Sequence, residues 1–265
     1  MIASPILSIK ARLKYPGENP RRGGIFVLIK HRRNRRVTAL TVLCSLILLC
    51  VLPTAFHAAQ SDDDATPEIA CGRTLVTDDF SDPTSGWLER SNESVELGYT
   101  DEESYRMSTT VASNVIWSWA PVNAGQLPEG FCLSVRAQEL NEGDEDDGKA
   151  LALGLMFAGR PNAPSFHTFG IAPASGVYRV RDRDFEDGIS VNVVDWTQTE
   201  AFADSPWQEL ELRVDGRRAQ VYLNGERLHE AELDARGSIG VFLESFDDAD
   251  VTGLFDDFTI RALAE

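Results

Sequence analysis

Beyond residue 60 the chain almost lacks lysine; Lys149 is the only one there. That part holds 15 Lys/Arg against 41 Asp/Glu, a net charge of about −26. Phosphate binding needs a basic footprint, so a nucleic-acid partner is excluded for it. Strong acidity suits a soluble domain in a cation-rich exterior. Histidine is scarce too: only His167 and His229 lie in this part, at no metal-ligand spacing. No G-x-S-x-G elbow occurs. Apolar residues keep no 3.6-residue period over eleven positions anywhere after residue 70, which excludes a helical domain. Of the four cysteines, Cys44 and Cys50 sit in an apolar run, leaving Cys71 and Cys132. An even pair in an oxidising compartment suggests one disulfide, with two buried thiols as the alternative.

Charge of the other sign gathers at the start. Residues 1–36 are basic and irregular, ending in HRRNRR. An apolar segment follows, fourteen residues from Ala39 to Leu52, or twenty from Val37 to Phe56. Fourteen fits a signal-peptide core and twenty just fits a spanning helix, with the arginines as a positive-inside flank. The expectation is one N-terminal hydrophobic helix over 37–59, cleaved or retained as a membrane anchor, and an exported remainder. Residues 60–70 (QSDDDATPEIA) read as an acidic linker.

From 71 to 265 the chain reads as short strands with turn punctuation. In Trp207–Leu223, Leu210, Leu212 and Val214 share one face, and Ala219, Val221 and Leu223 share one on the next strand. Asp215-Gly216 and Asn224-Gly225 mark tight hairpin turns. Gln220 and Tyr222 then point outward with Arg218. A one-residue slip would bury Glu209 and Glu211, so the register is firm. ALALGLMFA (150–158) is nearly continuous in apolar residues and reads as a central strand. The fold class is all-β, a two-sheet antiparallel sandwich.

The order W-x-x-L-x-L-x-V-x-G, V-Y-L-N-G, G-S-I-G-V-F and F-D-D-F across Trp207–Ile260 resembles the concanavalin A-like lectin/glucanase superfamily. It is similar to bacterial laminin-G-like and keto-disaccharide-hydrolase-like jelly rolls, and DDFSDPTSGW (78–87) suits their opening strand. The resemblance implies a jelly roll whose first and last strands lie side by side. That would gather Asp78, Asp79, Asp256 and Asp257, either as solvated strand-edge groups or around a structural Ca²⁺. It implies glycan binding in many members and cleavage in some. The family's glucanase pattern E-x-D-x-x-E is not met: ESFDDAD (244–250) departs from it, so no catalytic residue is assigned.

Arg179, Arg181 and Arg183 alternate on one strand face. They either pair across strands with acids such as Glu209 and Glu211 or meet a uronate, sulfate or phosphate group. Indoles stack on sugar C–H faces, but most are buried. Trp117 and Trp119 share a face with Val115 and read as core; Trp207 packs; Trp196, between an apolar strand and a polar loop, is the exposed candidate. The acidic loop Glu142, Asp144, Glu145, Asp146 and Asp147 lacks calcium-loop spacing and reads as solvated. The expectation is an extracytoplasmic carbohydrate- or surface-polymer-binding module. The alternatives are a glycan or keto-disaccharide hydrolase using Glu209, Glu211, Glu244 or Asp247, and an adhesive envelope domain.

Overall fold

The alternation in Trp207–Leu223 is what the sandwich is built from. In a computed structural model of the protein, Leu210, Leu212, Val214, Ala219, Val221 and Leu223 are all buried between two sheets. The structure describes residues 66–140, 151–160, 165–185, 187–247 and 249–265. The basic segment, the expected N-terminal helix, most of the linker and the acidic loop lie outside the described residues. Among the described residues no helix is long and apolar enough to cross a membrane.

Fifteen strands are described: β1 (Cys71–Asp78), β2 (Arg90–Ser91), β3 (Val95–Tyr99), β4 (Tyr105–Thr109), β5 (Val115–Trp119), β6 (Gly130–Leu140), β7 (Leu151–Arg160) and β8 (Ser165–Ala172) come first. Then follow β9 (Val177–Asp184), β10 (Ile189–Gln198), β11 (Trp207–Asp215), β12 (Arg218–Leu223), β13 (Glu226–Glu232), β14 (Ser238–Ser245) and β15 (Val251–Leu263). The larger sheet runs β13-β12-β11-β6-β15-β4-β3-β2, with β1 also on β15; the smaller runs β10-β9-β8-β7-β14-β5. Both are antiparallel throughout.

The turns follow their chemistry. Asn224 and Gly225 both have positive φ (50° and 82°), as a type I′ hairpin requires. The Asn224 side chain accepts the Glu209 N–H at 2.9 Å and donates to Ala201 O at 2.7 Å. At the preceding turn β11 extends through Asp215, so Gly216 (φ 61°) and Arg217 form the loop.

The first and last strands do close the sheet. One edge of β15 is shared by β4, along Val251–Phe255, and by β1, up to Asp78 opposite Phe258. Trp87 locks this corner: its ring meets Phe258 edge-on at 4.9 Å, and its indole N–H donates to Asp78 at 3.0 Å. Trp87 is therefore a core residue. Cys71 and Cys132 form a disulfide that links β1 to β6, with Cα atoms 6.0 Å apart.

The linker's last residues are not a free tether. Ile69 is buried and its N–H donates to Gln220 at 2.9 Å. Pro67 O accepts from Gln220 and Arg218, and Arg213 reaches both Glu68 and Ile69 O. This strap lies over the outer face of β11 and β12. Gln220 and Tyr222, expected to be solvent-facing, are buried beneath it. Glu211 is buried as well, held by Arg213 and Arg261.

Candidate functional site

Tyr178 and Val180 of β9 enter the core, so Arg179, Arg181 and Arg183 must point out of the smaller sheet. Opposite Arg179 stand two glycines in a row, Gly170 on β8 and Gly154 on β7. Ala152 follows on β7, opposite Glu244 on β14. Strands lie about 4.8 Å apart, so β14 is roughly 14 Å from β9. Gly170 leaves its place on this face to the Phe242 ring, which a Cβ there would meet at 2.7 Å. All three arginines reach Glu244: Arg179 at 2.5 Å, Arg181 at 3.3 Å, and Arg183 by a short hydrogen bond to the same oxygen as Arg179. Arg181 also donates to Asn192 of β10 at 2.9 Å.

Glu244 is thus the partner of the stripe, in place of Glu209 and Glu211, which belong to the other sheet. The cluster is buried, with Arg179 at 4% and Arg183 at 5% exposure. Burial pulls the Arg179 guanidinium down to about 10; Glu244 opposes this and the neighbouring arginines add to it. Arg183 is lowered for the same leading reason. Arg179 stays charged near neutral pH.

Trp196 caps the cluster. Its ring lies 4.1 Å from the Arg179 guanidinium carbon and stands edge-on to Phe246 at 5.8 Å. It is 37% exposed, the exposed indole the strand pattern predicts. Trp196 and Phe246 border a cleft of about 190 Å³ with Leu151, Ala172 and Val177. Further along the same face, Trp117 stacks on Phe185 at 5.4 Å and Trp119 meets Phe166 edge-on at 5.7 Å. Trp117 and Trp119 are half-buried here, outside the main core that the sequence pattern assigns them to.

The four aspartates have other partners. Asp78 accepts from Phe80 N and from Trp87, and Asp79 from Ser81. Asp256 and Asp257 both face Arg136, at 3.4 and 2.9 Å. Burial raises the Asp256 carboxyl, and the Asp257 and Asp79 charges add to this. Asp78, Asp79 and Asp82 line a groove of about 330 Å³ beside Trp87. A cation drawing all four carboxylates together would have to take them from these partners.

No family model matches the sequence, and no curated protein matches it. Solved structures do resemble the fold. A Bacillus subtilis protein of unknown function with a galectin-like fold aligns at TM-score 0.51 and 15% identity, over 75% of this chain and 100% of its own. A structure described among endo-acting O-glycanases of the human gut microbiota aligns at TM-score 0.51 and 12% identity, over 72% and 100%. Xylan beta-1,4-xylosidase from Bacillus halodurans aligns at TM-score 0.51 and 9% identity, over 74% of this chain but 41% of the enzyme. The chain has a galectin-like jelly-roll fold. At these identities the likeness concerns the fold and leaves the activity to be argued from the site.

On this galectin-like sandwich two of the suggested catalytic acids, Glu211 and Glu244, do not form a pair. Glu211 and Glu244 lie on different sheets, each held by guanidinium groups. Glu209 is exposed on β11, and Asp247 lies between β14 and β15. Phe246, Asn192 and Phe185 were not expected at the site, and Glu244 was expected only as a possible hydrolase acid, not as the partner of the arginines.

Proposed function

We propose that this protein is a carbohydrate-binding module that holds a glycan on the outer face of its smaller sheet. The observation that carries this reading is Trp196, partly exposed, stacked on a buried arginine and bordering an apolar cleft. A ring locked in this way offers an apolar platform at small conformational cost. The disulfide supports an oxidising, extracytoplasmic setting. Export through residues 37–59, as a cleaved signal or a retained anchor, is part of the proposal. So is a closer kinship with the laminin-G-like and keto-disaccharide-hydrolase-like jelly rolls. A glycan-array screen of the protein, followed by Trp196→Ala, tests it. The variant should lose at least about tenfold in affinity for any bound glycan, in the range for one stacked hot-spot aromatic. Binding to no glycan, or full affinity in the variant, refutes the reading.

A further inference from the structure

The arginine cluster carries more charge and more donors than the fold uses. Among the described residues three guanidiniums face one carboxylate, Glu244, so two positive charges are unmatched within the cluster. Together they offer about fifteen N–H groups, five for each guanidinium. Among the described residues their hydrogen bonds use four: one from Arg179, two from Arg181 and one from Arg183. Arg183 is about 95% buried, and among the described residues its Nε has no partner. A buried donor without a partner is costly, and so is an unmatched buried charge. This surplus lies in a domain whose net charge is about −26.

We infer that the cluster receives an oxyanion carried on a sugar ring, the carboxylate of a uronate, with Arg181 as its outermost donor. The inference rests on the glycan reading above, because Trp196 supplies the platform for the ring. Arg181 is the most accessible of the three, with 21% of its side chain exposed against 5% and 6% for Arg179 and Arg183. A planar carboxylate matches the two-point fork of a guanidinium. The acidic remainder of the domain does not forbid this. At 0.15 M salt, exposed charges beyond about 8 Å are largely screened, whereas a partly buried cluster is not. A sulfate ester offers the same oxyanion chemistry, and the test separates the two.

The experiment is calorimetric titration in 0.15 M salt with three probes of one ring type. These are an oligouronate, its neutral methyl ester and a sulfated neutral oligosaccharide. The wild-type protein should bind the oligouronate at least about tenfold tighter than the ester, the worth of one charge-assisted hydrogen bond. Arg181→Gln should bring that ratio toward one. Arg181→Lys keeps the charge but loses the two-point fork, so it should lower that ratio in part. A melting curve for each variant checks folding, and the lysine variant carries the test if the glutamine variant is unfolded. Tighter binding of the sulfated probe, lost in Arg181→Gln, would assign the oxyanion to sulfate and overturn the uronate. Equal affinity for oligouronate and ester would overturn the anion inference and leave the Trp196 reading standing. Binding of no probe, charged or neutral, would overturn both.

Discussion

Glu139 gives the domain a pH dependence of unusual sign. It lies near the end of β6, opposite Gly253 on β15, on the same strand face as the core residue Ala137. One of its carboxyl oxygens is buried with no hydrogen-bond partner among the described residues. Burial pushes the carboxyl up from 4.5 to about 7, against the pull of the Ala174 backbone. The folded state therefore holds this proton more tightly than the unfolded chain does. The associated stability is fully present below about pH 4.5 and is lost as pH rises through 7. A shift of that size corresponds to about 3 kcal/mol at most. Part of the side chain still meets solvent, so about 1–2 kcal/mol is the working figure. Glu139→Gln removes the titration and keeps the shape. At pH 8 it should stabilise the protein by about 1–2 kcal/mol, raising Tm by roughly 2–8 °C; at pH 4 the difference should vanish. Thermal unfolding followed by circular dichroism across pH 4–8 reads this directly. An equal Tm difference at both ends, or a variant less stable than wild type at pH 8, refutes the argument.

Other perturbations have defined outcomes. Reducing the disulfide, whose cysteines are 61 residues apart, should cost about 4 kcal/mol by loop entropy and lower Tm by roughly 8–16 °C; an unchanged midpoint on adding reductant would contradict this. Glu244→Gln removes the carboxylate facing three arginines and should destabilise by about 3–5 kcal/mol in urea unfolding, with a loss below 1 kcal/mol counting against its role. Arg136 already faces Asp256 and Asp257, so a chelator should leave the melting midpoint unchanged; a clear drop, restored by Ca²⁺, would favour the calcium reading instead.

How much could be read in advance depended on range along the chain. The meander faces, the Asn224-Gly225 turn and the outward arginines follow from neighbours two to four residues apart, where period and turn chemistry act. The closure of β1 on β15 came from resemblance, and the disulfide from counting cysteines. Alternation says which residues share a face but not which face is the core. That is why Trp117 and Trp119 were assigned inward and Tyr222 outward. Glu244 was out of reach for another reason. It is 61 residues beyond Arg183 and three strands away, so its place depends on strand order, which no local pattern encodes.

The strap and the disulfide also decide how the domain meets a mechanical load. A pull arriving at Thr66 runs through Ile69 to Cys71 and then across the sulfur bridge into β6. β6 has β11 on one side and β15 on the other. The load is thus shared by the hydrogen bonds that β6 makes to both of its neighbours. Without the bridge the same pull would fall on β1, which pairs with β15 alone and can be unzipped one residue at a time. Oxidation converts a strand that peels into a fixed mooring point.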